Sequence, residues 1–380
     1  MTVASEAKPL TPVAAGTEEP KAAMTVGQLM WGRFRRNRLA MFGMSILIVI
    51  YVSMIFADFF APYGVDTTHE LYTSAPPNGL HVIDAQGKFH WPPFVYGFEA
   101  QTDPDTLRRT YVPKTSEIYP LGFFVGGEPY RMFGVFATTV HLFSVSEPGK
   151  VFLLGTDSNG HDLFSRVLYG SRVSLTVGLV GVFLSVVLGA FIGVVSGYYG
   201  GVIDNIVQRA IEVISSIPQI PLWLGLAAAV PPDWSPLRVY FGIAVVLSLV
   251  TWGGLARQVR GIVLSLREID FVTAARYTNC STLRIISRHL LPNTLSHVLV
   301  IATLAIPGMI LGETSLSFLG LGIRPPMTSW GILLNEAQRV RVLIQEPWVL
   351  WPAFFVLLTI VSFNFVGDGL RDAADPFAGE

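Results

Sequence analysis

Apolar residues run through this chain in blocks of about 20, the length that carries a helix across the hydrocarbon of a bilayer. The blocks fall at 39–60, 174–196, 211–230, 237–255, 294–318 and 348–366, with polar residues gathered between them, and they predict six transmembrane helices. The stretches between differ in kind. Segment 61–172 is aromatic and turn-rich, with Pro76-Pro77-Asn78-Gly79, Asp84-Ala85-Gln86-Gly87, Trp91-Pro92-Pro93 and Gly126-Gly127. Short strands at 89–95 and 131–136 are expected in it, and it is too long for a passive connection. Segment 257–293 has helical chemistry instead. Leu266, Ile269, Val272, Ala274 and Ala275 fall at helical spacing in 265–277, with Arg267, Asp270 and Arg276 between them. A second helical run, 281–291, starts at Ser281 as its N-cap and stops at Pro292. Two short helices with a sharp turn near Asn279 and Cys280 are therefore expected between the fourth and fifth spans.

Single residues refine these runs. Gly181, Ser185, Gly189, Gly193 and Gly197 recur every fourth residue, a small-residue face that lets another helix backbone approach closely. Packing within the subunit is the favoured reading, contact between subunits the other. Pro218 and Pro221 interrupt the third span. The carbonyls they free need partners from neighbouring helices or from a wet cavity, so the break is either a kink or part of a pathway. Glu313 is a lone acid inside the fifth span. A carboxylate there is costly and defaults to a functional reading, with a structural hydrogen-bonding role as the alternative.

Composition narrows the class. The chain is 51% hydrophobic and 14% charged, against roughly 25% charged in soluble domains, which makes it a polytopic membrane protein. The net charge of −1 is uninformative, but its distribution is not. Arg33, Arg35, Arg36 and Arg38 precede the first span. Arg257, Arg260, Arg267, Arg276, Arg284 and Arg288 fill 257–293, and Arg371 follows the last span. The positive-inside rule puts both termini and 257–293 in the cytoplasm and 61–172 outside. Residues 1–24 read as a disordered tail, and 26–37 as an interfacial amphipathic helix or a basic flank. One cysteine excludes an internal disulfide, and the seven scattered histidines show no metal spacing. No phosphate-binding loop, metalloprotease motif, nucleophile elbow or dinucleotide fingerprint is present. The sequence thus offers no catalytic residues, no cofactor or metal site and no sign of nucleic-acid binding. Chemistry, if ATP is used, belongs to another subunit.

Three motifs carry a resemblance. Thr273-Ala274-Ala275, then Asn279, then His289-Leu290-Leu291-Pro292 has the spacing of the "EAA" loop in membrane subunits of bacterial ABC importers. Thr273 stands where that family usually has Glu, leaving Asp270 or Glu268 as the alternative carboxylate. Asn279 stands where it has Gly, and Asn is the residue that best tolerates a left-handed turn after Gly. Leu154-Gly155-Thr156-Asp157 with Gly160-His161-Asp162 and Ser165-Arg166 is similar to a signature of the second permease of dipeptide and oligopeptide importers, with His161 at a usual Arg position. Residues 313–322 resemble a stock sequence of the same family, as do Gly367-Asp368-Gly369-Leu370-Arg371-Asp372 and Asp375-Pro376.

The resemblance implies an all-α polytopic protein of the type I ABC importer (MetI-like) fold, with an extracytoplasmic subdomain inserted at 65–150. The permease core would be 173–366 and the cytoplasmic C-terminal tail 367–380. It implies a multi-pass protein of the bacterial inner membrane that forms half of a path for peptides; oligosaccharides or another small solute are the alternative. A secondary transporter would need ion-coupling acids in its spans, where Glu313 stands alone. The implied partners are a second homologous permease, two ATPase subunits that bind the ATP and Mg, an extracytoplasmic solute-binding protein and membrane lipid. Arg267, Asp270, Thr273, Ala274, Ala275, Arg276, Asn279 and Pro292 are the implied ATPase-coupling residues. Pro218, Pro221 and Glu313 are candidates for the pathway or gate, and Gly155, Thr156, Asp157, Gly160 and Asp162 form the outer-side motif.

Overall fold

The computed structural model describes residues 26–102, 104 and 109–374. The tail at 1–24 and Asp375-Pro376 lie outside the described residues. The helices are α1 (Val26–Phe34), α2 (Arg38–Ile55), α3 (Ala57–Phe60), α4 (Leu163–Tyr199), α5 (Gly201–Ser216), α6 (Gln219–Ala228), α7 (Pro236–Leu266), α8 (Asp270–Tyr277), α9 (Thr282–Ile285), α10 (Leu291–Phe318), α11 (Trp330–Glu336), α12 (Val340–Gln345) and α13 (Trp351–Ala374). Among the described residues five helices are long and apolar enough to cross a membrane, and the bent pair α5–α6 makes a sixth if counted as one span. These are the apolar runs of the sequence, with changed ends. Asp162 caps α4, so this helix begins ahead of the expected boundary at 173. Helix α13 continues through 367–372, where a tail was expected. The third run is broken by 89° between Ser216 and Gln219 rather than merely kinked.

Close approach of backbones organises the bundle. A Cβ added at Gly189 would lie 2.8 Å from Trp252 O, at Gly193 2.5 Å from Ala256 O, and at Gly197 2.9 Å from Arg260 O. The small-residue face of α4 is therefore spent on α7 of the same chain, and Ser185 Oγ meets Thr251 Oγ1 at 2.7 Å along the same seam. Helix α2 lies on α13, where Gly43 leaves room for Ser362 O. Phe34 buries the end of α1 against Gly369 of α13, while Leu29 and Trp31 on α1 stay exposed.

Between α3 and α4 the chain forms an antiparallel sheet of β1 (His81–Ile83), β2 (Phe89–Thr102), β3 (Arg109–Met132) and β4 (Phe136–Val145), in that order. The 24 residues of β3 pair with β2 in their first half and with β4 in their second. The strand expected at 89–95 extends to Thr102, and the one expected at 131–136 is instead the reversal between β3 and β4. The sheet rests on the bundle through Val95, Leu121, Phe143 and Val151, packed with Phe164 of α4. Arg172 fastens the end of the first span beside it, with Nη2 2.7 Å and Nη1 3.1 Å from the Asp58 carboxylate and Nε 3.0 Å from Met54 O.

Contacts sort the connections into two ends. Arg267 reaches Gly197 O, and α8 and α9 follow α7 at that end. At the other, Ser74 meets Glu346, Trp348 meets Thr156, and Arg324 meets Pro232 O, which gathers the sheet, the 229–235 loop and α11–α12.

Candidate functional site

The expected helix at 265–277 is shorter in the structure. Ser265 and Leu266 finish α7, and α8 starts at Asp270 after Ile269 turns to an extended conformation. Arg267 fixes that corner, donating to Gly197 O (3.1 Å) and Glu268 Oε1 (2.9 Å). Asp270 in the first turn and Arg276 in the last complement the helix dipole. Val272 and Ala275 are buried in one cluster with Val259 and Val263 of α7, Val194 of α4, and Ile285 and Leu290. Thr273 is half-buried. The opposite face exposes Phe271, Ala274 and Tyr277, the last by 87%. Asp270 is exposed too, and so is Arg276, whose guanidinium lies over the Tyr198 ring at 5.1 Å. Asn279 takes φ +59°, the left-handed turn expected of it.

Pro292 does not stop the second run. It sits in the first turn of α10, directly after a π-helical turn at Ile286–Leu290. The wider π spacing accommodates a residue with no N–H, so α9, the π turn and α10 run on together.

A cavity of about 350 Å³ lies between α4, α6, α7 and α10, lined by Ser185, Gln219, Thr251, Gln258 and Gly308 among apolar neighbours. Pro218 is the N-cap residue of α6 and so delivers Gln219 to this cavity, while Pro221 and Glu313 are not among its lining residues. Glu313 is fully buried elsewhere. Ser174 Oγ donates to its Oε2 at 2.8 Å and Ser317 Oγ to its Oε1 at 2.7 Å, while Ser174 Oγ accepts Trp330 N at 3.1 Å. It thus joins α4, α10 and α11, the structural reading of an intramembrane acid. Gln219 and Gln258 are not singled out by the sequence: an amide inside the 211–230 run is a signal for the first, whereas Gln258 is hidden in the basic segment 257–293.

The motif at 155–162 is a clamp. Gly155 and Gly160 take φ +80° and +83°, and a Cβ on them would strike Ala75 O or the Trp348 ring, and His69 O. Thr156 accepts Ala75 N at 2.8 Å, and Trp348 Nε1 donates to Thr156 O at 2.9 Å. Asp157 accepts Asn159 N (2.8 Å) and His161 N (2.9 Å) through Oδ1, and meets His161 Nδ1 (2.8 Å) and Arg166 through Oδ2. Arg166 goes on to the Glu336 carboxylate at 2.9 and 3.0 Å, a partner not foreseen from the sequence. Burial works to raise the Asp157 carboxyl, but the His161 hydrogen bond and the Arg166 charge outweigh it and hold the group below its ordinary value.

Asp162 behaves oppositely. Its Oδ2 caps α4 by accepting Ser165 N (2.8 Å) and Oγ (2.6 Å), while Oδ1 is buried with no hydrogen-bond partner among the described residues. Burial pushes this carboxyl up to about 7, against the bonds from Ser165. An acid raised on folding contributes stability that is complete below its unfolded value and is lost as pH rises through its folded value. Thermal midpoints of the purified wild type are therefore expected to fall between pH 3.8 and about 7. Asp162→Asn, which keeps a capping oxygen, is expected to flatten that window; equal slopes in both proteins would refute the assignment.

Two family models match the chain. One, described as the binding-protein-dependent transport system inner membrane component, covers residues 185–379, and the other, the N-terminal TM domain of oligopeptide transport permease C, covers residues 25–77. The oligopeptide transport system permease protein OppC of Haemophilus influenzae is 45% identical over 224 residues, 58% of this chain and 69% of the relative. The dipeptide transport system permease protein DppC of Bacillus subtilis is 30% identical over 358 residues, 94% of this chain and 87% of the relative. The OppC of Escherichia coli K12 is 44% identical over 237 residues, 60% of this chain and 73% of the relative. Among solved structures, inward-facing MetNI methionine ABC transporter is similar with a TM-score of 0.38 and 21% identity, over 55% of this chain and 95% of that one.

Proposed function

From the premise that this chain belongs to the family of binding-protein-dependent transport system inner membrane components, as a permease of the oligopeptide and dipeptide permease C type, we propose that it forms half of the membrane path of an ATP-driven peptide importer. A second, homologous permease supplies the other half. Two ATPase subunits hold the ATP and Mg, and an extracytoplasmic binding protein delivers the peptide. The termini and α8 face the cytoplasm, and the sheet faces outward.

The observation that carries this reading is the two-faced α8. Val272 and Ala275 fasten it to α7, α9 and the start of α10, while Phe271, Ala274 and Tyr277 are left exposed. A helix held rigidly on one side and apolar on the other is built to be moved by a partner. ATP closes the ATPase pair and carries α8 with it, and the flanking long helices turn the path from inward-open to outward-open. This is a two-state switch, biased by whichever state binds ATP better. Apolar contacts supply the affinity, and Asp270 supplies orientation. The groove at Gln219, Thr251 and Gln258 supports the half-path reading, since neutral amides and hydroxyls suit a peptide backbone and Gln219 and Gln258 are exposed on this chain alone.

A cysteine at Ala274 in a Cys280→Ser background is expected to crosslink to an ATPase subunit in the purified complex, and more strongly with nucleotide present. Absence of any ATPase adduct from this position would overturn the coupling role. The insert is expected to serve delivery. Excising 81–145 with a short linker should leave the bundle assembled but weaken docking of the binding protein and peptide uptake. Unchanged docking and uptake would remove that role.

A further inference from the structure

The reversal between β3 and β4 is an uncharged stretch, reading Met-Phe-Gly-Val-Phe-Ala-Thr-Thr-Val at 132–140. Phe133, Val135 and Phe136 are exposed on it, Val135 by 72%. A hairpin that ends in water places Asn, Asp or Gly at such a tip. Here the chain turns through Phe133 and Gly134, both at positive φ (53° and 74°), and Phe124 nearby is also at 53°. Two bulky aromatic residues are held in a conformation that L side chains disfavour. Neither belongs to the core that seats the sheet on α4, so the strain is not spent there.

Their position shows what it is spent on. The Phe133 ring lies 5.7 Å from Phe56 and the Phe124 ring 6.0 Å from Phe59, centroid to centroid. Phe56 directly follows α2, a membrane-crossing helix whose exposed side carries Phe42, Val49 and Val52. No helix of this chain covers that side among the described residues, and the hairpin tip continues it past the end of the span. At this depth the hydrocarbon gives way to headgroups, where aromatic rings partition best. We propose that the β3–β4 tip is a membrane anchor, with Phe133, Val135 and Phe136 seated in the interfacial layer beside α2 and holding the sheet down on the bilayer surface. The occupant is lipid, recognised by its acyl–headgroup boundary: residues 132–140 carry no charge, and the exposed Arg131 at their base faces the headgroup side.

The test uses the full chain purified with its partner subunits in phospholipid nanodiscs, in a Cys280→Ser background that removes the single native cysteine. A polarity-sensitive fluorophore is attached at Val135→Cys or, as an aqueous reference, at the exposed Gln86→Cys between β1 and β2. The Val135 label is expected to emit at shorter wavelength, to be quenched by doxyl-labelled lipid, and to resist iodide several-fold better than the Gln86 label. Adding Phe133→Asn and Phe136→Ser, which suits the turn, should return it toward the aqueous values. Equal iodide access at both sites without lipid quenching would overturn the proposal. Protection that arises only when a binding protein is added would also overturn it, in favour of a protein-docking surface. Neither readout depends on transport, so the anchor can fail while the proposed function stands, and the reverse.

Discussion

Arginine in place of Ala274 is expected to leave an assembled transporter whose ATP-driven uptake falls by about tenfold or more, the equivalent of roughly 1.4 kcal/mol of lost docking. Ala274 sits on the exposed face of α8, one turn from Phe271 and one from Tyr277. A long cation there must either be buried, at a cost that pairing with Asp270 one turn away offsets only in part, or hold the partner surface away. Ala275→Arg is expected to fail differently. Ala275 is 7% exposed and packed among Val259, Val263 and Leu290, so the arginine overfills the subunit's own core and folded chain is lost. Co-purification of subunits and peptide uptake in proteoliposomes separate the two results. Wild-type uptake by Ala274→Arg would end the coupling argument, and a well-folded, inactive Ala275→Arg would put that side chain on the docking face instead.

Arg166→Met is expected to be among the most destabilising single changes at the sheet end of the bundle. Asp157 is 2% exposed and owes its ionisation to Arg166 and His161, so removing the arginine leaves a buried carboxylate without its cation. Breaking such a pair typically costs about 3–5 kcal/mol, and Glu336 loses its bidentate partner as well. Arg166→Lys should recover part of the loss, because an ammonium can satisfy Asp157 but cannot fork onto Glu336. The pH signature follows from the Asp157 shift. A depressed acid contributes stability that is present above its unfolded value of 3.8 and lost as pH falls through the lower folded value. Wild type should lose this contribution below about pH 4, and Arg166→Met should lack it at neutral pH. A thermal midpoint within a degree or two of wild type for Arg166→Met at neutral pH would mean that the clamp contributes little.

What the sequence discloses depends on where each residue's partner lies. Apolar runs long enough to span report themselves, and so does the small-residue stripe of α4, because both are periodic signals within one segment. Asn279 was legible because its turn is local. The extent of α4 was hidden because its first turns hold Asp162, Ser165, Arg166 and Arg172, which read as loop. They are satisfied by their own cap, by Asp157 and Glu336, and by Asp58. The sheet was under-read for a related cause. Pro113, Pro120 and Gly126-Gly127 break the alternation of β3, and its reversal carries Phe where Asn would announce a hairpin. Pro292 looked like a terminator because the π turn that absorbs it leaves no mark in the sequence. Glu313 reads two ways because one of its partners, Ser174, lies 139 residues away in the chain.

Helix α7 has a further mechanical consequence. Its 31 residues reach ~46 Å at ~1.5 Å each, well beyond the ~30 Å of hydrocarbon. In the overhang Arg260 grips Asp204 of α5, with Nε 2.5 Å from Oδ1. The two helices are joined there, so on the proposed coupling a displacement of α8 is expected to move α5 along with α7. Because α5 meets α6 at nearly a right angle, that displacement would be delivered as a crank stroke at the Pro218 elbow, next to Gln219.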